Sequence, residues 1–314
     1  MRDLRIVFMG TPDFAVATLN AILKAGYTVV GVITAPDKPA GRGRKIQQSA
    51  VKNYALENNL PILQPVNLKN EDFLKELEQL HANLQIVVAF RMLPEVVWKM
   101  PKYGTFNLHA SLLPDYRGAA PINWAIINGE NKTGVTTFFI DEKIDTGNII
   151  LQKEIDIYPD EIVGELHDKL MMLGSELVVE TVRQIAENNL QTIQQKEHPG
   201  KLAPKIFPET CQINWNEPIN TIYNLIRGLN PYPAAWTTIL NGNDEIQAKI
   251  FDVEKELVAH SIATGKIITS KNEIKVAVKE GFIKIITLKL SGKKLMDSKS
   301  LLNGYAFYEN AKML

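Results

Sequence analysis

The chain has 314 residues, enough for two domains or one large one. Hydrophobic residues make up 45% and charged residues 22%, the balance of a packed globular protein, which excludes an extended disordered or low-complexity chain. The 35 Lys+Arg cancel the 35 Asp+Glu, so a uniformly basic nucleic-acid coat is excluded while a local basic patch is not. The one cysteine, Cys211, can form neither an internal disulfide nor a cysteine-rich metal site, in keeping with a reducing, cytoplasmic compartment. The apolar opening turns polar at Thr11–Asp13, too soon for a signal peptide, and no later run reaches the ~18 apolar residues of a membrane helix. No membrane partner is expected.

Leu4–Met9 is a short apolar run ending at Gly10, read as a buried strand. Pro12 suits a first helical turn, Phe14, Ala15, Leu19, Ile22 and Leu23 recur at helical spacing, and Gly26 ends the helix. Tyr27–Thr34 reads as a second strand, Ser49 as the cap of a helix reaching about Asn58, and Pro61–Leu63 as a third strand. A helix over Asn70–Leu80 and strands at Leu84–Phe90, Thr105–His109, Val135–Ile140 and Ile149–Ile157 follow, then a long helix within Asp160–Glu187. Strands alternating with helices imply an α/β domain, mostly parallel in its sheet and covered on both faces. We place this Rossmann-like domain at 1–190 and a polar, proline-containing linker at 191–208. The second domain, 209–314, has a short helix at Pro218–Arg227. Short strands follow at Trp236–Leu240, Ile246–Val253, Gly265–Thr269, Ile274–Val278 and Phe282–Leu288, the pattern of a small antiparallel barrel.

Charge is unevenly spread. Residues 1–203 carry 21 Lys+Arg against 24 Asp+Glu, and residues 204–314 carry 14 against 11. Nine lysines and three acids lie between Lys266 and Lys299, which fits either a solvated strand face or an anionic partner.

The opening strand–turn–helix invites a dinucleotide-binding reading, but Gly10-Thr11-Pro12-Asp13-Phe14-Ala15 has one glycine where the pyrophosphate turn needs three. There is no P-loop and no Gly-x-Ser-x-Gly elbow, and the five histidines lack metal-ligand spacing. The most unusual stretch is Phe106–Pro121 (FNLHASLLPDYRGAAP), at the C-terminal end of an expected parallel strand, the edge where open α/β sheets bind ligands. Asn107 and His109 share a strand face, because alternate side chains do. The polar turn Asp141–Gly147 could return a carboxylate, Asp145, to the same spot. Such a trio can polarise a carbonyl, hold an oxyanion and move a proton. The same residues also fit a turn-capping asparagine, a satisfied core histidine and an ordinary turn aspartate, and spacing alone leaves the two readings level.

The motif Asn107-x-His109-x-Ser111-Leu112-Leu113-Pro114 resembles the signature of the folate-dependent formyltransferase family. Three further features are similar to the branch of that family that formylates methionyl-tRNA. They are VFMGTPDF at Val7–Phe14, PDKPAGRGRK at Pro36–Lys45, and the pair APKI at Ala203–Ile206 with IRGLNPYPAAW at Ile226–Trp236. The resemblance covers nearly the whole chain. It implies that Asn107, His109 and Asp145 are the catalytic trio. It implies that Ser111, Leu112, Leu113 and Pro114 border the folate, and that Lys38, Arg42, Arg44 and Lys45 reach the acceptor end of a tRNA. The barrel would be OB-like and bind tRNA. The formyl donor would be 10-formyltetrahydrofolate, used as a substrate. The acceptor would be the α-amine of methionine on charged initiator tRNA, supplying translation initiation. No metal would be needed, and the protein would act as a monomer. One departure is Ala89–Pro94, with Arg91 where the family usually has a glycine, so local contacts of the pterin pocket are expected to differ.

Two other readings stay open on the residues. A family member acting on a nucleotide-sugar amine or on glycinamide ribonucleotide would keep the trio and have no use for a basic barrel. A non-catalytic RNA-binding protein on the same fold would have no need of the trio. Tyr232 and Trp236 are expected in barrel core or hinge packing rather than as base-stacking platforms.

Overall fold

The computed structural model describes residues 1–40, 45–196 and 200–314. The chain forms two compact units. The first comprises Met1–Gly118, Gly134–Ile155 and Asp168–Lys201; the second comprises Ala119–Thr133, Asp156–His167 and Leu202–Leu314. Two segments that a boundary at 190 assigns to the first domain, 119–133 and 156–167, therefore pack with the second unit.

The first unit opens with β1 (Arg5–Gly10), whose residues beyond Arg5 are all buried, as in a parallel strand covered on both faces. Helix α1 (Asp13–Lys24) follows, then β2 (Thr28–Ile33). Lys38–Ala40 (β3) and Lys45–Gln47 (β4) pair antiparallel, so part of the basic 36–45 segment is strand rather than loop. Helix α2 (Ala50–Glu57) is capped by the Ser49 hydroxyl, which accepts from Lys52 N at 3.0 Å. After β5 (Ile62–Leu63), helix α3 (Glu71–Gln79) is capped in the same way by Asn70. Strand β6 (Leu84–Val88), the one-turn α4 (Glu95–Trp98), β7 (Thr105–His109) and the two-residue β8 (Arg117–Gly118) complete this stretch. The chain then passes through α5 (Pro121–Ile127) before returning as β9 (Lys132–Phe139), β10 (Ile149–Asp156) and the 25-residue α6 (Val163–Glu187). The periodicity did not anticipate α4 or α5, since neither is long enough to show a repeat.

These strands form one sheet in the order β10-β9-β7-β6-β1-β2-β5. Strands β5, β2, β1, β6 and β7 are parallel, and β9 runs antiparallel to β7. The expected α/β class with a mostly parallel sheet is thus borne out, with β9 added antiparallel beyond β7 and β10 at the edge. On one face Gly174 of α6 sits so near Leu108 that a Cβ there would lie 2.8 Å from Leu108 Cδ2. Such close approach locks the helix against the strand that carries the site.

The second unit adds β11 (Leu202–Ala203) and α7 (Ile219–Leu229). Buried Ile222, Tyr223, Ile226 and Leu229 form one face of α7. Gly228 brings α7 against α5, where an added Cβ would meet Ile127 at 2.7 Å. The barrel strands are β12 (Ala235–Asn241), β13 (Asp244–Leu257), β14 (Ile267–Thr269), β15 (Ile274–Val278) and β16 (Gly281–Leu290), with β17 (Met296–Asp297), α8 (Ser298–Leu302) and β18 (Lys312–Met313). Their order is β14-β15-β16-β13-β12-β18. A bridge between Lys266 and Lys312, with Met313 N donating to Gly265 O at 2.8 Å, nearly closes the sheet on itself. Register shifts in β13 around Asp252 are bulges that bend this 14-residue strand, the bend a barrel needs. Its interior is aliphatic, including Ile239, Ile250, Ile274, Val276, Ile283 and Leu288. No helix among the described residues is long and apolar enough to cross a membrane.

Candidate active site

The site forms where β7 ends. Asn107 and His109 lie one residue apart on one face of β7, opposite Phe138 and Thr136 of β9. His109 is 7% exposed and meets the Phe138 ring edge-on at 6.4 Å. Its Nε2 is 2.9 Å from Tyr116 O. A carbonyl only accepts, so Nε2 carries the hydrogen and Nδ1 is the free face of the neutral ring. That face looks toward Asp145, whose Oδ2 is 3.8 Å from Nδ1. Asp145 Oδ2 also accepts from Gly118 N at 2.9 Å. Asn107 is half-buried, and no side-chain hydrogen bond engages it among the described residues.

Asp145 sits on a turn with φ 56°, in the left-handed region that few non-glycine residues adopt. Gly147 makes that turn possible. A Cβ at 147 would lie 1.7 Å from Phe139 O, so only glycine lets the turn pass the end of β9. Asp141 closes the turn by accepting from Thr146 Oγ1 at 2.7 Å and Lys143 N at 3.1 Å.

The four residues 111–114 divide by exposure. Ser111 and Leu113 are buried, while Leu112 and Pro114 are half-buried. Ser111 Oγ donates to Asp115 O at 2.7 Å, and buried Thr136 donates to Ser111 O at 2.6 Å. Thr136 Oγ1 accepts from Leu113 N, and Gln152 Nε2 donates to Leu113 O at 2.9 Å. Ser111 thus spends its side chain on the loop itself, Leu113 is fixed through its backbone while its side chain packs with Phe138 and Ile149, and Leu112 and Pro114 are left nearer the surface.

Several contributors had no sequence signal. Thr136, Gln152 and Gln195 look like ordinary polar residues in the chain, and only the fold brings them to the site. Arg91 lays its guanidinium on the carbonyls of Pro65 and Val66, with the Val66 bond at 2.8 Å and Phe90 below it at 5.5 Å. The side chain that replaces the expected glycine is thereby held by the 65–66 backbone. Of the basic residues assigned to tRNA, Lys38 lies in β3 and is exposed, and Lys45 begins β4. Arg42 and Arg44 lie outside the described residues. Asp37, the one acid of that segment, is paired with Lys52 at 2.6 Å. The Gln64 and Lys52 bonds hold its carboxyl below the usual carboxylate range.

Tyr232 is 82% exposed and not in the core, because the turn after α7 turns it outward. Trp236 packs at the edge of the barrel core and donates to Pro208 O at 2.8 Å.

A parallel-stranded α/β unit with this Asn–His–Asp arrangement beyond a strand end is accompanied by matching family models. Residues 4–182 match the formyl transferase model and residues 205–306 match the formyl transferase C-terminal domain. The chain belongs to the formyl transferase family. It is 60% identical, over 100% of both chains, to a methionyl-tRNA formyltransferase of Flavobacterium johnsoniae. It is 56% identical to a methionyl-tRNA formyltransferase of Bacteroides fragilis, over 99% of this chain and 98% of the relative. Among solved structures it is similar in fold to WlaRD, a sugar 3N-formyl transferase. The TM-score is 0.65 at 23% identity, covering 94% of this chain and all of the other. HypX from Aquifex aeolicus in complex with tetrahydrofolic acid matches with TM-score 0.64 at 18% identity, covering 96% of this chain and 47% of that one.

Proposed function

We propose that this chain transfers the formyl group of 10-formyltetrahydrofolate to the α-amine of methionyl-tRNA, in service of translation initiation. The observation that carries the reading is full-length identity of 60% to a methionyl-tRNA formyltransferase. The His109–Asp145 approach at 3.8 Å beside half-buried Asn107 supplies the chemistry.

The amine of an aminoacyl ester is a good nucleophile at neutral pH, so no covalent enzyme intermediate is required. It attacks the formyl carbon, and negative charge develops on the formyl oxygen. The Asn107 amide donates to that oxygen, and His109 assists when it carries a proton on Nδ1. The Tyr116 carbonyl fixes the ring so that Nδ1 is the atom exchanging protons with the site. Asp145 offsets the charge on the ring and takes the amine proton, directly or through a bound water, for delivery to the departing folate nitrogen. Leu112 and Pro114 border the folate, with Ser111 and Leu113 holding their loop in place.

The barrel and the 36–45 segment take the tRNA. Lys38, Arg42, Arg44 and Lys45 contact phosphates near the acceptor end, and the exposed barrel lysines add to the attraction. The protein acts in the cytoplasm as a monomer. The test is a formylation assay with 10-formyltetrahydrofolate, offering charged initiator tRNA, a nucleotide-sugar amine and glycinamide ribonucleotide in parallel. Formylation of the tRNA alone supports the reading. Formylation of either small amine in preference to tRNA would replace it.

A further inference from the structure

We infer that Gln195 is a positioning residue for formyl transfer, acting through Asp145; the inference rests on the role given to Asp145 above. In the sequence Gln195 lies in the polar stretch after α6, among other glutamines. In the structure its amide nitrogen donates to two carbonyls of a single turn, Asp145 O at 3.0 Å and Gly147 O at 2.8 Å. Its amide oxygen accepts from Arg117, at 2.6 Å from Nη2 and 3.2 Å from Nε. One half-buried side chain thus uses its donors and its acceptor together.

The contacts close a ring. Gln195 holds the backbone of Asp145, Arg117 holds Gln195, and the neighbour of Arg117, Gly118, holds the Asp145 carboxylate. The residue before Arg117, Tyr116, holds His109. The 116–118 segment is therefore the common reference for both the imidazole and the carboxylate, and Gln195 ties the Asp145 turn to it. A non-glycine residue at φ 56° persists only where its surroundings over-determine it, and the two bonds from Gln195 are part of that determination. The same stretch of chain also fixes the far side of the segment. Tyr116 N donates to Lys201 O at 2.5 Å, and Lys201 N donates to Asp115 Oδ1 at 3.1 Å. Gln195 and Lys201, in what the sequence presents as a linker, are thus part of the scaffold of the site.

A merely structural residue would pin residues 191–196 to the unit and do no more. Gln195→Glu separates the two roles. The carboxylate keeps Arg117, now as a charged pair, but sets an acceptor against the Asp145 and Gly147 carbonyls. The experiment measures kcat, tRNA KM and melting temperature for full-length Gln195→Glu, with 10-formyltetrahydrofolate and charged methionyl-tRNA. The change is made in the wild-type and in an Asp145→Ala background. The expected result is a kcat lowered about 10- to 100-fold, as misplacement by about an ångström produces, with tRNA KM and melting temperature unchanged. In the Asp145→Ala background the same change should cost nothing further. Wild-type kcat in Gln195→Glu, or an equal loss in both backgrounds, would overturn the inference. Should Gln195→Glu melt early, Gln195→Met, which removes the clamp without adding charge, is judged by the same two comparisons. An Asp145→Ala enzyme with wild-type turnover would overturn the catalytic reading of the site itself, and is seen without any change at 195.

Discussion

Gly118 donates its backbone N–H to Asp145 Oδ2 at 2.9 Å, so the carboxylate that faces His109 is held by a group 27 residues earlier in the chain. The bond leaves Asp145 Oδ2 3.8 Å from His109 Nδ1, facing it but too far for a direct hydrogen bond. The approach depends on the shape of the 141–148 turn, and Gly147 is its narrowest point.

Gly147→Ala should therefore damage both stability and catalysis. The new Cβ would overlap Phe139 O at 1.7 Å, a clash with backbone that no rotamer relieves. A loss of about 1–3 kcal/mol is expected, as for other overpacked sites. Turnover should fall further than stability alone explains, since the displaced turn carries Asp145. Denaturant unfolding and kcat at a temperature where the variant is folded check this. Wild-type values in both would mean that the turn is compliant and does not set the position of Asp145.

The alternation of strands and helices was legible in the sequence because buried parallel strands such as Leu84–Val88 are continuous apolar runs. Thr105–His109 has in the structure the limits that its sequence predicts. The family was legible from Asn107–Pro121. The short α5 was not, because seven residues give too few turns for a period to show. Nor was β18, which contributes two residues to the closing edge of the barrel. Gln195 and Thr136 were invisible for a different reason. Their work is to bond backbone carbonyls distant in sequence, and neither residue type nor spacing encodes that. The 266–299 region is lysine-rich, yet its charge is partly spent. Lys284 lies 2.9 Å from Glu273 and 3.4 Å from Glu254, and Lys275 lies 2.5 Å from Glu256.

That pairing divides the barrel lysines into two groups. The bonds from Glu273 and Glu254 raise the Lys284 ammonium pKa, so the group stays charged but faces acids. Lys289 stands across from Lys249, which itself stands across from Trp236, a cross-strand row without an acid. Lys289→Ala should raise tRNA KM and lower its salt slope by about one charge, while Lys284→Ala should alter both less. The two KM values measured over a range of salt check this. A larger effect from Lys284 would move the tRNA contact to the paired face.

The second unit has an alkaline limit built around Tyr223. Burial, and then the bond from its hydroxyl to Asp160 Oδ1 at 2.8 Å, push the phenol up to about 12. An unfolded tyrosine ionises near ~10. Between about 10 and about 12 the unfolded chain releases a proton that the folded one keeps, so the contribution of Tyr223 to stability is complete below the lower value and is lost as pH rises through the window. Tyr223→Phe should be less stable than wild type at neutral pH, having lost the Asp160 bond, and should lose less stability than wild type from pH 10 to 12. Melting temperature against pH for the two proteins checks the slope. Parallel curves would mean that the phenol does not differ between folded and unfolded chains.

On the proposed function, formyl transfer to methionyl-tRNA takes place at the Asn107–His109–Asp145 site. It is tested most directly by the single-turnover rate of formyl transfer from 10-formyltetrahydrofolate to charged methionyl-tRNA, comparing wild type with Asn107→Ala at saturating substrates. Asn107 is half-buried and outside the packed core, so the variant should fold and bind both substrates normally. The expected result is rapid formylation by the wild type and a rate lower by roughly 100-fold or more in the variant, the usual cost of one lost oxyanion donor. Equal rates for the two proteins would contradict the claim.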